Sequence, residues 1–241
     1  MARTIVQSKF RNNEFNEIVK LIDKLNIKWD KHTFLCDLFE ISAIAISNQS
    51  DVFHDKLWEK REQQYIDIMN KYSKEDRLII ADIFHRLFDL LAGMAENGFD
   101  DYLGRLYMAS GTSNNYTGQF FTPFDVSVLS AEIAVDETKV KRCMEKGEIL
   151  TIMEPTCGSG GMVLATLDVL WNAHGFNYVE NAFVCCGDID KRCVHMAYLQ
   201  LSLAGVPAVI KHQNALTLET WDEWHTPALK MQWLRFRHLV N

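Results

Sequence analysis

Along the first part of the chain, apolar residues recur at three- and four-residue steps. After about Glu148 they gather instead into short runs separated by helical patterns. In "EFNEIVKLIDKLN", Phe15, Ile18, Val19, Ile22 and Leu25 make one stripe, which predicts an amphipathic helix. "FLCDLFEISAIAISN" is more uniformly hydrophobic and predicts a central helix. "SKEDRLIIADIFHRLFDLLAG" opens on Ser73 as N-cap with Asp76 three residues on, an acidic version of the capping box. Its apolar face is expected to hold Leu78, Ile79, Ile83, Phe84, Leu87, Phe88 and Leu91, with His85 beside it as a structural histidine and Gly93 or Gly98 as the stop. These helices predict a bundle over residues 1–111. "ASGTSNNYTGQFFTPF" is small, polar and turn-rich, and reads as the linker or surface loop between two halves. "DVSVLSAEIAV" then predicts a short helix with Asp125 as its cap.

From Glu148 strands and helices alternate. "EILTIM" reads as a strand, "MVLATLDVLWNAH" as a helix stopped by Gly175, and "AFVCCGDI" as a second strand. "KRCVHMAYLQLSLA" follows as a helix capped by Asp190 and stopped by Gly205, and "PAVIKHQ" as a third strand. This spacing predicts a parallel sheet with crossover helices over residues 112–241, an α/β second domain behind the helical N-terminal one.

Composition narrows the class. At 48% hydrophobic, the 241 residues can bury a substantial core. No run of about 18 apolar residues is present, so no transmembrane helix and no membrane partner are expected. The N-terminal stretch has no apolar signal region, which makes cytoplasmic residence the default expectation. The six cysteines include no C-x-x-C pair, and Cys193 and His195 are two apart on a predicted helix, so no metal site is expected. A net charge of −7 argues against nucleic-acid binding spread over the whole surface. A local groove, a partner chain or the basic tail "KMQWLRFRHLV" remains able to supply positive charge.

Candidate chemistry converges where parallel sheets bind ligands, outside the carboxyl ends of the strands. Gly158, Gly160 and Gly161 clear side chains from a strand-to-helix turn where a backbone must approach a ligand. Asp188 ends the second strand, placed to accept hydrogen bonds from ribose hydroxyls, and Asn214 ends the third, placed to read an adenine edge. The G-x-G-x-x-G fingerprint is not met and no Gly-Lys-Ser/Thr follows. Glu154 before the turn would repel a pyrophosphate but pair with an ammonium group, which favours S-adenosylmethionine.

"GQFFTPFDV", "IMEPTCGSGGM", "GDID" and "HQNALT" stand in this order from Gly118 to Thr217. In that order they resemble the adenine-N6 DNA methyltransferases, closest to the modification (M) subunits of type I restriction systems. The resemblance runs from about Phe34 to Thr217, since the helical front half is similar to those subunits too. It implies an incomplete Rossmann-like methyltransferase sheet that binds S-adenosylmethionine. Phe121, Thr122 and Pro123 would line the methionine end of the cofactor, and Glu154, Thr156, Gly158, Ser159 and Gly160 would surround its amino-acid part. Asp188 would take the ribose, and Asn214 with Ala215 would lie beside the adenine. Most family members carry Asp where Asn214 stands. Asp190 is expected to be a helix cap, not a ligand. The resemblance also implies DNA, reached through a complex, and a separate specificity-type subunit.

The family's catalytic Asn/Asp-Pro-Pro-Tyr/Phe motif has no counterpart. The four prolines (Pro123, Pro155, Pro207 and Pro227) are never adjacent, and none follows Asn or Asp. The family's sheet has further strands, and the stretch after Asn214 is too short for them. Its alternation of Leu234 and Phe236 with Arg235 and Arg237 predicts one strand, while the tryptophans of "WDEWHTP" are expected to pack. The first strand would then expose an edge that the tail, a second protein chain or self-association should cover. Three readings fit: a cofactor-binding methyltransferase-like protein that cannot methylate alone, an active methyltransferase whose catalytic motif comes from a partner, or an interaction module that has lost its ligand.

Overall fold

The computed structural model describes residues 2–25, 30–109 and 121–240. The front half is helical: α1 (Ala2–Lys24), α2 (Lys31–Gln49), α3 (Lys56–Met69), α4 (Lys74–Ala92), the single turn α5 (Met94–Asn97) and α6 (Tyr102–Ala109). The boundary expected near residue 111 and most of the expected linker lie outside the described residues. The chain continues through α7 (Phe124–Ala134), α8 (Glu137–Lys146), β1 (Leu150–Glu154), α9 (Gly161–Asn172), α10 (Tyr178–Asn181), β2 (Ala182–Asp188), α11 (Lys191–Leu203) and β3 (Ala208–Gln213). It ends on β4 (Thr220–His225), α12 (Pro227–Met231), α13 (Trp233–Phe236) and a turn of 3₁₀ helix (Arg237–Leu239).

Most elements follow the apolar pattern. α2 buries Phe34, Leu35, Leu38, Phe39 and Ile44, as a central helix must. Ser73 caps α4 by accepting the Asp76 N–H at 3.1 Å, and its hydroxyl donates to the Asp76 carboxylate at 2.8 Å. Ser73→Ala is expected to lower stability by about 1 kcal/mol, read as a drop in urea midpoint at constant slope. The α4 face is rotated from the expected one: Leu78 (74% exposed) and Phe88 (44%) face solvent, while Ile80 and Leu90 are buried. The buried positions 76, 80, 83, 87 and 90 keep the helical period, so a seam one position over was available to the same residues. His85 is exposed and meets Phe84 edge-on. At α7 the N-cap is Pro123, and Asp125 sits in the first turn without capping.

The sheet is open, in the order β1-β2-β3-β4. β1, β2 and β3 are parallel, with Glu154 opposite Cys186 and Asp188 opposite His212. β4 is antiparallel to β3 at the far edge. The tail therefore does not cover β1, as one of the expectations had it, and residues 233–236 are helical where a strand was expected. The tail is fixed elsewhere by specific contacts. The Thr226 hydroxyl donates to Val206 O at 2.6 Å and accepts the Ala208 N–H at 2.9 Å, clamping the end of β4 to the start of β3. Phe236 stacks on Phe183, and with Val209 and Leu229 it closes a small core on one sheet face.

The main core runs without a break from α1, α2, α4 and α6 into α9, α11, β2 and β3. Polar contacts cross the same seam. Lys191 pairs with Glu40 at 2.6 Å. Arg192, paired with Asp190, donates to the Tyr107 hydroxyl at 2.6 Å and contacts His32. Among the described residues, no helix is long and apolar enough to cross a membrane.

Candidate functional site

The carboxyl ends of β1, β2 and β3 open onto one rim, and the turn from β1 into α9 forms its centre. Gly158 (φ +54°) and Gly160 (φ +98°) hold left-handed backbone conformations that a side chain would strain. A Cβ on Gly158 would also stand 3.2 Å from the Phe121 ring, so glycine serves both the bend and the close approach. Gly160 is the N-cap of α9, which has no side-chain cap and no acid in its first turn.

Asp188 stitches this turn to the neighbouring strand. One carboxylate oxygen accepts the Gly158 N–H at 2.9 Å and the other accepts the Asp190 N–H at 2.9 Å. The Cys157 N–H donates to Gly187 O at 2.8 Å, giving a third tie. Glu154 Oε1 accepts from the Thr156 N–H at 3.1 Å and from its hydroxyl at 3.2 Å. Asp190 caps α11 by accepting the Arg192 N–H at 2.9 Å.

Beneath the turn lies a polar cluster that the sequence pattern did not reveal. Asp101 is 4% exposed and Gln200 fully buried. Asp101 Oδ1 accepts the Gly104 N–H at 3.0 Å and Gln200 Nε2 at 2.9 Å, and Oδ2 accepts the Ser159 hydroxyl. Gln200 Nε2 also donates to Ser159 O at 2.8 Å. Burial pushes the Asp101 acid up from the usual carboxylate range, against the opposing pull of these donors. The Ser159 side chain is 1% exposed and turned toward Asp101, so of Ser159 the backbone alone is left to meet a ligand. Cys157 is buried against Cys186, and that contact together with desolvation holds its thiol well above the usual range; it is no ready nucleophile.

Phe121, Thr122, Thr156, Gly158 and Met162 surround a cavity of about 120 Å³, with Asp101 also on its wall. Phe121 is set by an edge-on contact with Tyr107 of α6, at 5.8 Å between ring centres. The expected site residues thus fall into two groups. Phe121, Thr122, Glu154, Thr156, Gly158, Ser159, Gly160 and Asp188 gather about one turn, and Pro123 follows Thr122 as the N-cap of α7. Asn214 and Ala215 stand one strand further, past the end of β3. There Asn214 Oδ1 already accepts the Leu216 and Thr217 N–H groups at 2.9 and 3.2 Å, closing its own turn. Ile189 (61% exposed) and Leu216 (94%) are bare apolar residues directly after β2 and in the turn after β3. They are the surfaces on which a flat ring could rest, and solvent exposure is the signal that picks them out.

A larger groove of about 390 Å³ runs along the free edge of β1, lined by Ala134, Lys139, Thr151, Met153 and Glu154 and meeting the cavity at Met162. Among the described residues no strand pairs with this edge.

The N-6 DNA methylase family model matches residues 100–231, more than half of the chain. The match begins at the head of α6 and so takes in Asp101. A comparison with curated proteins finds no match. Among solved structures, the chain is similar to a Listeria monocytogenes protein assigned to the class I S-adenosylmethionine-dependent methyltransferases, at 12% identity and a TM-score of 0.45. The similarity covers 85% of this chain and 55% of that one, so the chain spans little more than half of that protein's length.

Proposed function

Because the chain belongs to the N-6 DNA methylase family, we propose that it binds S-adenosylmethionine at the β1–α9 turn and forms the cofactor half of an adenine-N6 DNA methyltransferase of the type I M-subunit kind. The observation that carries this reading is the bond from the Gly158 N–H to Asp188, which holds a glycine turn and an acid together at the ends of adjacent parallel strands.

The residues present fit the cofactor. Glu154 Oε2 accepts no hydrogen bond from the described residues and offers a free carboxylate oxygen to an ammonium group. The uncapped start of α9 leaves backbone N–H groups for a carboxylate. Asp188 keeps lone pairs for ribose hydroxyls, and Ile189 and Leu216 offer apolar faces to a base. Phe121 and Thr122 close the end where the methionine part would lie. Bound there, S-adenosylmethionine supplies an electrophilic methyl group on a sulfonium. What these residues do is orient it, shed water from around Phe121 and surround it with carboxylates.

The acceptor side is a separate matter. These 241 residues contain no Asn/Asp-Pro-Pro-aromatic sequence to bind a flipped adenine, so we infer that they do not methylate DNA alone. The unpaired β1 edge, whose groove runs into the cofactor cavity, supports the idea that further residues dock there and bring the acceptor site. A specificity-type subunit that selects the DNA sequence belongs to the same proposal.

Calorimetric titration of the purified chain with S-adenosylmethionine tests the reading. Saturable one-site binding is expected, without methylation of DNA. Folded protein that takes up no cofactor would mean the turn is scaffold alone.

A further inference from the structure

A cofactor bound at this turn would meet an electrostatic difficulty. A helix N-terminus carries roughly half a positive charge and favours anions. α9 presents such an end, uncapped, to the cavity. A sulfonium is a cation, so the turn by itself would disfavour the methyl donor relative to the neutral thioether left after methyl transfer.

Asp101 lies where that bias would be reversed. It comes from the helical half, at the head of α6, and its carboxylate is tucked beneath the first residue of α9. A Cβ placed on Gly161 would be 3.0 Å from Oδ2. On the other side a Cβ on Gly104 would meet the same oxygen at 2.2 Å, so two glycines make room for this one acid. Its hydrogen bonds come from uncharged donors, Gly104, Gln200 and Ser159. Among the described residues no lysine, arginine or histidine forms an ion pair with it. The three neutral donors and the α9 N-terminus offset only part of the cost of burying this carboxylate, and Asp101 stands on the cavity wall, where a cation in the cavity would offset more. Resting on the reading above, we propose that Asp101 is a specificity-determining residue. Its charge selects the sulfonium-bearing cofactor over S-adenosylhomocysteine, which has the same amino-acid and nucleoside parts but no charge on sulfur.

The experiment separates charge from architecture. Asp101→Asn is isosteric and can keep the cluster: its oxygen still accepts from Gly104 and Gln200, and its amide can donate to the Ser159 hydroxyl. Both ligands are titrated calorimetrically into wild type, Asp101→Asn and Ser159→Ala, each checked for native circular dichroism. In Asp101→Asn, affinity for S-adenosylmethionine is expected to fall about tenfold or more, and for S-adenosylhomocysteine less than about threefold. Ser159→Ala removes a hydrogen bond but no charge, and should leave the ratio of the two affinities unchanged. Equal losses for both ligands in Asp101→Asn would reduce Asp101 to a structural tie and overturn the assignment, while leaving the cofactor reading intact. Binding of neither ligand by folded wild type would overturn both. Should Asp101→Asn not fold, the wild type decides: sinefungin, which carries an amine in place of the sulfonium, must then bind more tightly than the neutral thioether. Equal or weaker binding of sinefungin overturns the proposal.

Discussion

Asp188→Ala is expected to weaken S-adenosylmethionine binding by about 100-fold and to cost about 2 kcal/mol of stability. Two effects add. The carboxylate, 8% exposed, holds the Gly158 and Asp190 N–H groups at 2.9 Å each, and alanine leaves both donors without their partner. Hydrogen bonds to a charged group contribute about 1.5–3 kcal/mol each, although water reaching the vacated space recovers part of that. The larger consequence falls on the ligand. Freed from Asp188, residue 158 no longer fixes the turn, and the acceptor proposed for the ribose goes with it. Asp188→Asn should fall between wild type and alanine, because its amide keeps one acceptor oxygen for one of the Gly158 and Asp190 N–H groups and turns an NH2 toward the other. Stability is read by denaturant unfolding and affinity by calorimetry on the same preparations. A variant that unfolds more easily yet binds within about threefold of wild type would mean that the cofactor does not sit at this turn.

The parts of the fold that the sequence made legible are those whose signal is local. Along β1, α9, β2, α11 and β3, residues with a fixed backbone task, such as Gly160, Asp190 and Gly205, stand between the segments, and the apolar runs they separate need no distant information. Ser73 was legible for the same reason. What escaped depends on partners far along the chain. "TWDEWH" mixes tryptophans with acids and lacks a strand pattern, yet it forms β4 because Trp224 is buried beneath Arg61 and Thr226 bonds to the start of β3. In the tail the alternation of Leu234 and Phe236 was too short to fix a period; Phe236 is buried on Phe183, and Leu234 is 81% exposed. α8 buries little beyond Val140 and Cys143, leaving an apolar signal too thin to read. At the site, the glycines and Asp188 could be found because backbone geometry restricts their types. Asp101 and Gln200 could not. Each is an ordinary polar residue in its own segment, and their meeting under Ser159 exists only in the folded chain.

The largest stability effect expected away from the site also depends on partners far along the chain. Arg61→Ala should cost about 3 kcal/mol. Arg61 extends from α3 toward the far edge of the sheet and is 5% exposed. It donates to Ser47 Oγ at 2.9 Å and to Glu223 O at 3.0 Å, and its guanidinium carbon lies 3.7 Å from the centre of the Trp224 ring. Asp222, the carboxylate nearest to it, is 3.5 Å away with a side chain one-third exposed. A pair of that length and exposure contributes about 1 kcal/mol at most. The stacking on Trp224 contributes about 1–2 kcal/mol when shielded from water, and stranding the Glu223 carbonyl and Ser47 hydroxyl adds about 1–3 kcal/mol. Asp222→Ala is therefore expected to cost less than about 1 kcal/mol. Arg61→Lys should recover little, since an ammonium cannot lie flat on the indole while bridging two acceptors. Guanidinium unfolding of the three variants measures these differences, and hydrogen exchange locates them. In Arg61→Ala, β4 should lose protection before β2, because β4 is the strand that Arg61 pins to the helical half. Equal costs for Asp222→Ala and Arg61→Ala would show that the ion pair, not the aromatic face and the backbone carbonyl, holds this edge of the sheet.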